Sequence, residues 1–565
     1  MDWCARMLAP SAGPDWRRHQ EREARAWFGG VSAAAAALDL VLTRRRHLFA
    51  PQILLQLARL ALVHSSTAAP DANQTPEALA KYETAMRTAM LVLAHHAGSD
   101  RRQDDDRLRL PNGTLVLDGS VVTGLEAELA ANLLVNHMPF PASAFDRSER
   151  RWVEIPRQEQ GQAGAVDLQA EYLAATGVPL PDLRMIGLTL WARVMSGSGP
   201  RTGPGYLDDL GLGPQRTERA LALISGTVDE LAAADRVSAA PDLGSTYETS
   251  LFGQRPVVRL ANGGLLVVSP HLLVHRTLGW LPRWDLTNGL QALGSAGRKR
   301  AKQAEVYLRH TTERHAMETL AHLAAAGVPP GTPYDEEQIQ TAYGTKDKNA
   351  DCAIDWPEAW VVAEISSRSV TRQTAAALPG EDLITDITYG VIEKAEQLDA
   401  TIRALRADES RLTQAPALVP RHFWPVLVTT EGFPIHPIIT ARVRTMLRDA
   451  GLLQESDCRE VAILDTEALE AAETVAAQGG PNLPSLLAQH AVSDLSTFGF
   501  REWLLVTHGP LRPPARIMQR WDRGLAPILT ALERSEALRT STPGGEKRPA
   551  EPDHLGQTRR STAPG

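Results

Sequence analysis

The stretch Asn349–Ser367, NADCAIDWPEAWVVAEISS, reads as a β-hairpin that sets two carboxylates side by side. Asp351 to Asp355 alternates polar and apolar residues, and Trp356-Pro357-Glu358-Ala359 has the composition of a four-residue turn. Trp360 to Ser366 is rich in the β-branched residues of a return strand. If Asp355 pairs with Trp360 across the turn, the register carries Asp351 opposite Glu364. Their Cβ atoms would then lie about 4.5–5.5 Å apart on one face of the sheet. Like charges so placed destabilise a hairpin, so a compensating cation is expected, and a divalent metal ion is the obvious candidate. Each acid alone has a plainer reading: Asp351 can end a strand, and Glu364 can pair with an arginine such as Arg368.

The flanking sequence adds two helices. Before the hairpin, a helix is expected over 303–326, with Met317, Leu320 and Ala324 as its apolar face and Glu313 four residues earlier on the same stripe. Glu318 falls on a more polar face. After the hairpin, a helix over about 381–406 carries the apolar stripe Ile384, Ile387, Val391, Ala395, Leu398, Ile402 and Leu405. Beside it runs a second line, Gly390, Lys394, Gln397 and Thr401, able to reach over the end of the sheet. Strands at Trp424–Thr429 and Val461–Leu464 alternate with helices at 438–450 and 466–476, and a strand at 502–507 and a helix at 514–535 follow. The predicted fold class is α/β, a mixed central sheet flanked by helices in the C-terminal half, preceded by a mainly helical N-terminal region.

The order of acidic helix, Asp351, Glu364-Ile365-Ser366 and a Lys/Gln helix resembles the PD-(D/E)XK nuclease superfamily, over roughly residues 298–480. The resemblance implies a restriction-endonuclease-like fold and hydrolysis of phosphodiester bonds in DNA or RNA. It implies Asp351 and Glu364 as ligands of Mg²⁺ or Mn²⁺, with Glu313 as an auxiliary acid. Ser366 stands where the family motif has its lysine, and no proline precedes Asp351. Some members carry that lysine on a following helix, which directs attention to Lys394, paired with Gln397. Lys346 and Lys348 are alternatives. The physical case agrees: the reaction needs an activated water and stabilised phosphoryl charge, and hard oxygen ligands suit magnesium. A non-catalytic scaffold with a degenerate nuclease-like fold is the competing expectation.

The net charge of −8 gives no global attraction to nucleic acid, so contact would need a local patch. The run Arg298, Lys299, Arg300 and Lys302, with Arg309, is the candidate, set in a polar linker-like stretch from Gly294 to Lys302. Lysine occurs only at 81, 299, 302, 346, 348, 394 and 547, so five of seven lie around the hairpin, although the bland reading of the arginine excess is a GC-rich genome that favours arginine codons. Cys4, Cys352 and Cys458 are far apart, which argues against a disulfide framework or zinc finger and for a reducing cytoplasm. The sequons at Asn73 and Asn112 then carry no meaning. No apolar run reaches the roughly 18–20 residues of a membrane span, and the N-terminus lacks the apolar core of a signal peptide. No GxSxG elbow is present, and neither His95-His96 nor His315/His322 has metal-ligand spacing.

The 565 residues allow several domains. Residues 1–240 read as mainly helical and suited to selecting substrate or partner, with helices at 21–45, 50–64, 76–97, 124–136 and roughly 165–195, and a hairpin over 107–122. Residues 241–297 form a small β-containing connector with a hairpin around Asn262-Gly263-Gly264. Residues 298–539 form the nuclease-like domain with its C-terminal extension, and 540–565 a disordered tail. The loop at 196–205 resembles a phosphate-binding loop only in its glycines.

Overall fold

The computed structural model describes residues 140–238, 250–279, 281–344, 349–368, 382–415, 419–430 and 433–541, with Leu55 and Ala58. The expected helices at 21–45, 76–97 and 124–136, the hairpin at 107–122, Lys346, Lys348 and the tail beyond 541 lie outside them; of 50–64 only Leu55 and Ala58, both helical, are described.

Three short strands, β1 (Ser225–Thr227), β2 (Val257–Arg259) and β3 (Leu265–Val267), make a small sheet in the order β1-β2-β3. β2 and β3 form the expected hairpin around Asn262-Gly263-Gly264, and β1, which the sequence did not suggest, adds to it in parallel. The helices Leu168–Thr176 and Leu180–Met195 lie where the periodicity predicts.

The larger sheet holds β4 (Thr332–Asp335), β5 (Cys352–Trp356), β6 (Ala359–Ser366), β7 (His422–Thr429) and β8 (Ala462–Asp465), side by side in that order. The β4–β5 and β5–β6 pairs are antiparallel, while β6–β7 and β7–β8 are parallel. Every residue of β6 is buried, as befits a central strand covered on both faces. The C-terminal half is thus mixed α/β, with a five-stranded mixed sheet among helices.

The sheet's alternation sorts its side chains into two cores. Cys352, Ile354, Val361, Ala363, Val426 and Val428 pack with Leu320, Ala324, Leu469, Leu486 and Phe500. Ala353, Trp360, Val362, Phe423 and Leu427 pack with Ala395, Leu398, Ile402 and Val443 on the other face. Lys394 belongs to the helix on this second face, Glu393–Asp408, so Glu364 points toward it in step with Val362.

Two expectations fail. The stretch from Gly294 to Lys302 is no linker, because one helix runs from Ser295 to Ala326. Its Ala, Arg and Lys residues are good helix formers, and Gly297, Ala301, Ala304 and Leu308 make a buried stripe. A Cβ at Gly297 would lie 2.0 Å from the Leu290 carbonyl, so glycine permits that close approach. Residues 502–507 are also helical, within Phe500–His508. There Phe500, Trp503 and Leu504 are buried while Val506 is 72% exposed, a spacing that fits a helical turn and not a strand. A further helix, Glu336–Tyr343, stands between β4 and β5, closed by an Asp335/Gln338 capping box. Among the described residues no helix is long and apolar enough to cross a membrane.

Candidate functional site

The hairpin adopts the register that alternation requires. Asp355 pairs with Trp360 and Cys352 with Ala363, and Trp356 pairs with Ala359 around Pro357-Glu358. One step beyond Cys352, Asp351 and Glu364 meet through reciprocal backbone contacts. The Asp351 amide donates to Glu364 Oε2 at 3.1 Å, and the Ile365 amide donates to Asp351 Oδ2 at 2.7 Å. The two acids therefore face each other at the end of the hairpin away from its turn.

Lys394 closes on this pair from the helix. Its Nζ donates to Glu364 Oε1 at 2.5 Å and lies 3.3 Å from Gln397 Oε1. The same helix grips the other strand through Thr401, whose Oγ1 accepts from the Ala350 amide at 2.8 Å. Lys394, Gln397 and Thr401 are thus one row that ties both strands of the hairpin. Thr401 belonged to that row by spacing, but its bond to the Ala350 backbone has no signature in side-chain chemistry. Glu313 reaches the site's margin, accepting from Ser367 Oγ at 3.2 Å. Glu318 does not join it: Arg150 holds its carboxylate at 2.5 Å. Arg368 does not neutralise Glu364 either, and lies instead 4.8 Å above the Tyr389 ring. Ser366, in the position of the missing lysine, is buried, and its carbonyl accepts from the Thr430 amide at 3.0 Å.

The electrostatics follow from burial. Burial pushes the Asp351 carboxyl up to about 6, against the pull of the Ile365 amide and Lys394. Glu364 is pushed to about 8, by burial first and by the Asp351 charge second. Burial works against the charge on Lys394, but Glu364, Asp351 and Glu313 together hold its ammonium above the ordinary value. One lysine therefore does not offset the burial of two acids, and both carboxyls hold their protons more tightly than ordinary acids do. Asp351 Oδ1 accepts no hydrogen bond among the described residues. Asp351 Oδ1 is a hard oxygen of the kind magnesium takes, whereas both Glu364 oxygens are engaged in this structure, Oε1 by Lys394 and Oε2 by the Asp351 amide. Among the described residues no group of three or more His, Cys, Asp and Glu side chains gathers to hold a metal.

The basic run is separate from this site. Arg298, Lys299 and Lys302 are exposed on the long helix, 11 to 15 residues before Glu313, or about 17–22 Å along the axis. Arg300 is committed to Glu171 at 2.8 Å and Arg309 to Glu305 at 3.1 Å. Comparison with family models, with curated proteins and with solved structures finds no match for this chain.

Proposed function

We propose that this chain is a metal-dependent nuclease that hydrolyses phosphodiester bonds in DNA or RNA, with a restriction-endonuclease-like arrangement in its C-terminal half. The observation that carries the reading is the convergence of Asp351, Glu364 and Lys394 at one end of the sheet, with Lys394 Nζ 2.5 Å from Glu364. A lysine 30 residues from its acid, on the following helix, reaches Glu364, which supports the reading although Ser366 stands where the motif has its lysine.

Asp351 and Glu364 would hold Mg²⁺ or Mn²⁺, which supplies an activated water and Lewis-acid stabilisation of phosphoryl charge. Lys394, steadied by Gln397, would direct positive charge toward the phosphoryl oxygens and orient a water through its one remaining N–H. Glu313, bridged to Ser367, adds negative charge at the rim and serves as an auxiliary acid. Arg298, Lys299 and Lys302 would bind the nucleic acid's phosphates away from the cut, while Arg300 is partly occupied by Glu171.

The test is cleavage of single- and double-stranded oligonucleotides by the purified chain with Mg²⁺ or Mn²⁺. Asp351→Asn and Glu364→Gln are expected to lower the rate by about 100-fold or more while circular dichroism stays unchanged. Full activity in both variants overturns the assignment.

A second reading rests on the same ion pair. Because Lys394 already occupies Glu364 Oε1, the site also suits a non-catalytic scaffold in which the lysine neutralises the acid for good. Titration with Mn²⁺ separates the two. A rise in Tm that Asp351→Asn abolishes supports the nuclease, and a flat titration supports the scaffold.

A further inference from the structure

The elements that carry Glu364 and Lys394 also carry a surface that the hydrolysis itself does not use. Tyr389 is 44% exposed, and the Arg368 guanidinium sits 4.8 Å from its ring centroid. Trp284 and Phe498, the other exposed aromatic rings of comparable size among the described residues, belong to other elements. Tyr389 shares its helix with Lys394, and Arg368 lies two residues past the end of β6, the strand that carries Glu364. The pair is therefore anchored to both elements of the site.

Local backbone geometry strengthens the placement. Residues Thr388–Ile392 form a π-helical turn, with the Glu393 amide reaching back to the Thr388 carbonyl. In a regular α-helix two residues five apart point about 140° away from each other. The wider turn makes that angle smaller, and Tyr389 stands about 7 Å along the axis from Lys394. On the strand side, Arg368 stands four residues from Glu364, at most about 13 Å. Arg368 forms no ion pair among the described residues, so its charge is available. It differs in this from Arg421 and Arg406, which also lie over aromatic rings but are tied to carboxylates.

We propose that Tyr389 and Arg368 form a stacking platform for an unpaired nucleobase next to the scissile phosphate, so that the site takes single-stranded or locally unpaired nucleic acid. A half-exposed ring with a guanidinium over it presents π and cationic surface together, the combination on which single-stranded bases bind without regard to sequence. Bases inside a duplex have both faces covered and cannot use such a surface unless they leave the stack. This inference rests on the nuclease reading for its substrate class, but its test does not require cleavage.

Binding is measured in EDTA, where metal-dependent hydrolysis is silent, with the full chain and an oligonucleotide carrying one 2-aminopurine, either single-stranded or fully paired. The single strand is expected to bind with quenched fluorescence, and the duplex to bind without quenching. Tyr389→Leu should weaken single-strand binding by roughly 5- to 100-fold and remove the quenching, while Tyr389→Trp keeps both. Arg368→Met should weaken it less. Equal affinity and quenching in Tyr389→Leu and the unaltered chain overturn the platform, as does failure of the single strand to bind. Cleavage with Mg²⁺ is scored separately on the same proteins. Cutting that survives with no Tyr389 dependence of binding removes the platform and leaves the nuclease. Tyr389-dependent binding without cutting does the reverse.

Discussion

Asp146 and Glu364 are both sealed from solvent, at 0% and 1% exposure, yet their carboxyls lie at opposite ends of the acid range. Burial raises Asp146, but His315, Arg520 and Arg516 overcome it and hold the group at about 2. Around it Arg520 also binds Glu154 at 3.1 Å, Arg150 bridges Glu154 and Glu318, and Arg516 binds Glu473 at 2.7 Å. These contacts lock the helix Pro141–Glu149 and the residues after it to the long helix, to Thr466–Ala477 and to the C-terminal helix Ala515–Ser541. Glu364 has Asp351 beside it and a single lysine, and is pushed to about 8. Where arginines outnumber the needs of an acid, buried charge is structural and stable. Where they are too few, the protein bears an electrostatic cost that a bound cation would relieve, and such imbalance is a mark of functional sites.

Removing a carboxylate should therefore have opposite consequences in the two regions. Asp146→Asn removes the buried charge that Arg520 and Arg516 share, leaving them Glu154 and Glu473, and a loss of about 3 kcal/mol in chemical denaturation is expected. A loss below about 1 kcal/mol would break the contrast.

The second test uses pH without metal. The folded carboxyls of Glu364 and Asp351 titrate near 8 and 6, above their ordinary values of 4.5 and 3.8. The folded state thus binds more protons than the unfolded chain between those limits, so its stability is greatest at the acid side and falls as pH rises toward 8. In EDTA, Tm should fall by roughly 5 °C between pH 5 and pH 8.5, and Glu364→Gln should flatten most of that slope. Saturating Mn²⁺ should flatten it too if the pair holds a cation. A slope unchanged in Glu364→Gln would assign it to other groups.

The smallest effect sharpens the site's internal design. Thr401→Val deprives the buried Ala350 amide of its acceptor, with an expected cost of about 1–3 kcal/mol by thermal melting. Thr401→Ser should restore it, because only the hydroxyl is required. Valine behaving like threonine would mean that the helix grips the hairpin through Lys394 alone.

Legibility in the sequence followed the range of the interaction. The alternation of Asp351–Asp355, the Pro357-Glu358 turn and the apolar run of β6 are local, and they specified the register that brings Asp351 to Glu364. The helices around Glu313 and Lys394 were readable from their apolar stripes. The Gly294–Lys302 stretch misled because its polar composition resembles a linker, whereas the buried row of Gly297, Ala301 and Ala304 is sparse and small. The 502–507 stretch misled because an apolar run of that length suits a strand or a helix equally. The cluster around Asp146 had no sequence signal, since Arg520 reaches it from 374 residues away.

By itself, then, the sequence determined the hairpin, its register, the two facing acids and the row of Lys394, Gln397 and Thr401, because each depends on periodicity within a few turns of chain. Only the tertiary structure decided that Lys394 lands on Glu364, that Thr401 holds Ala350, that Arg368 rests on Tyr389 and that Glu318 is given to Arg150. Those pairings depend on how helices seat on the two faces of the sheet. Periodicity states which face of a helix is buried, but the packing of whole cores decides which polar residue at its border meets which acid.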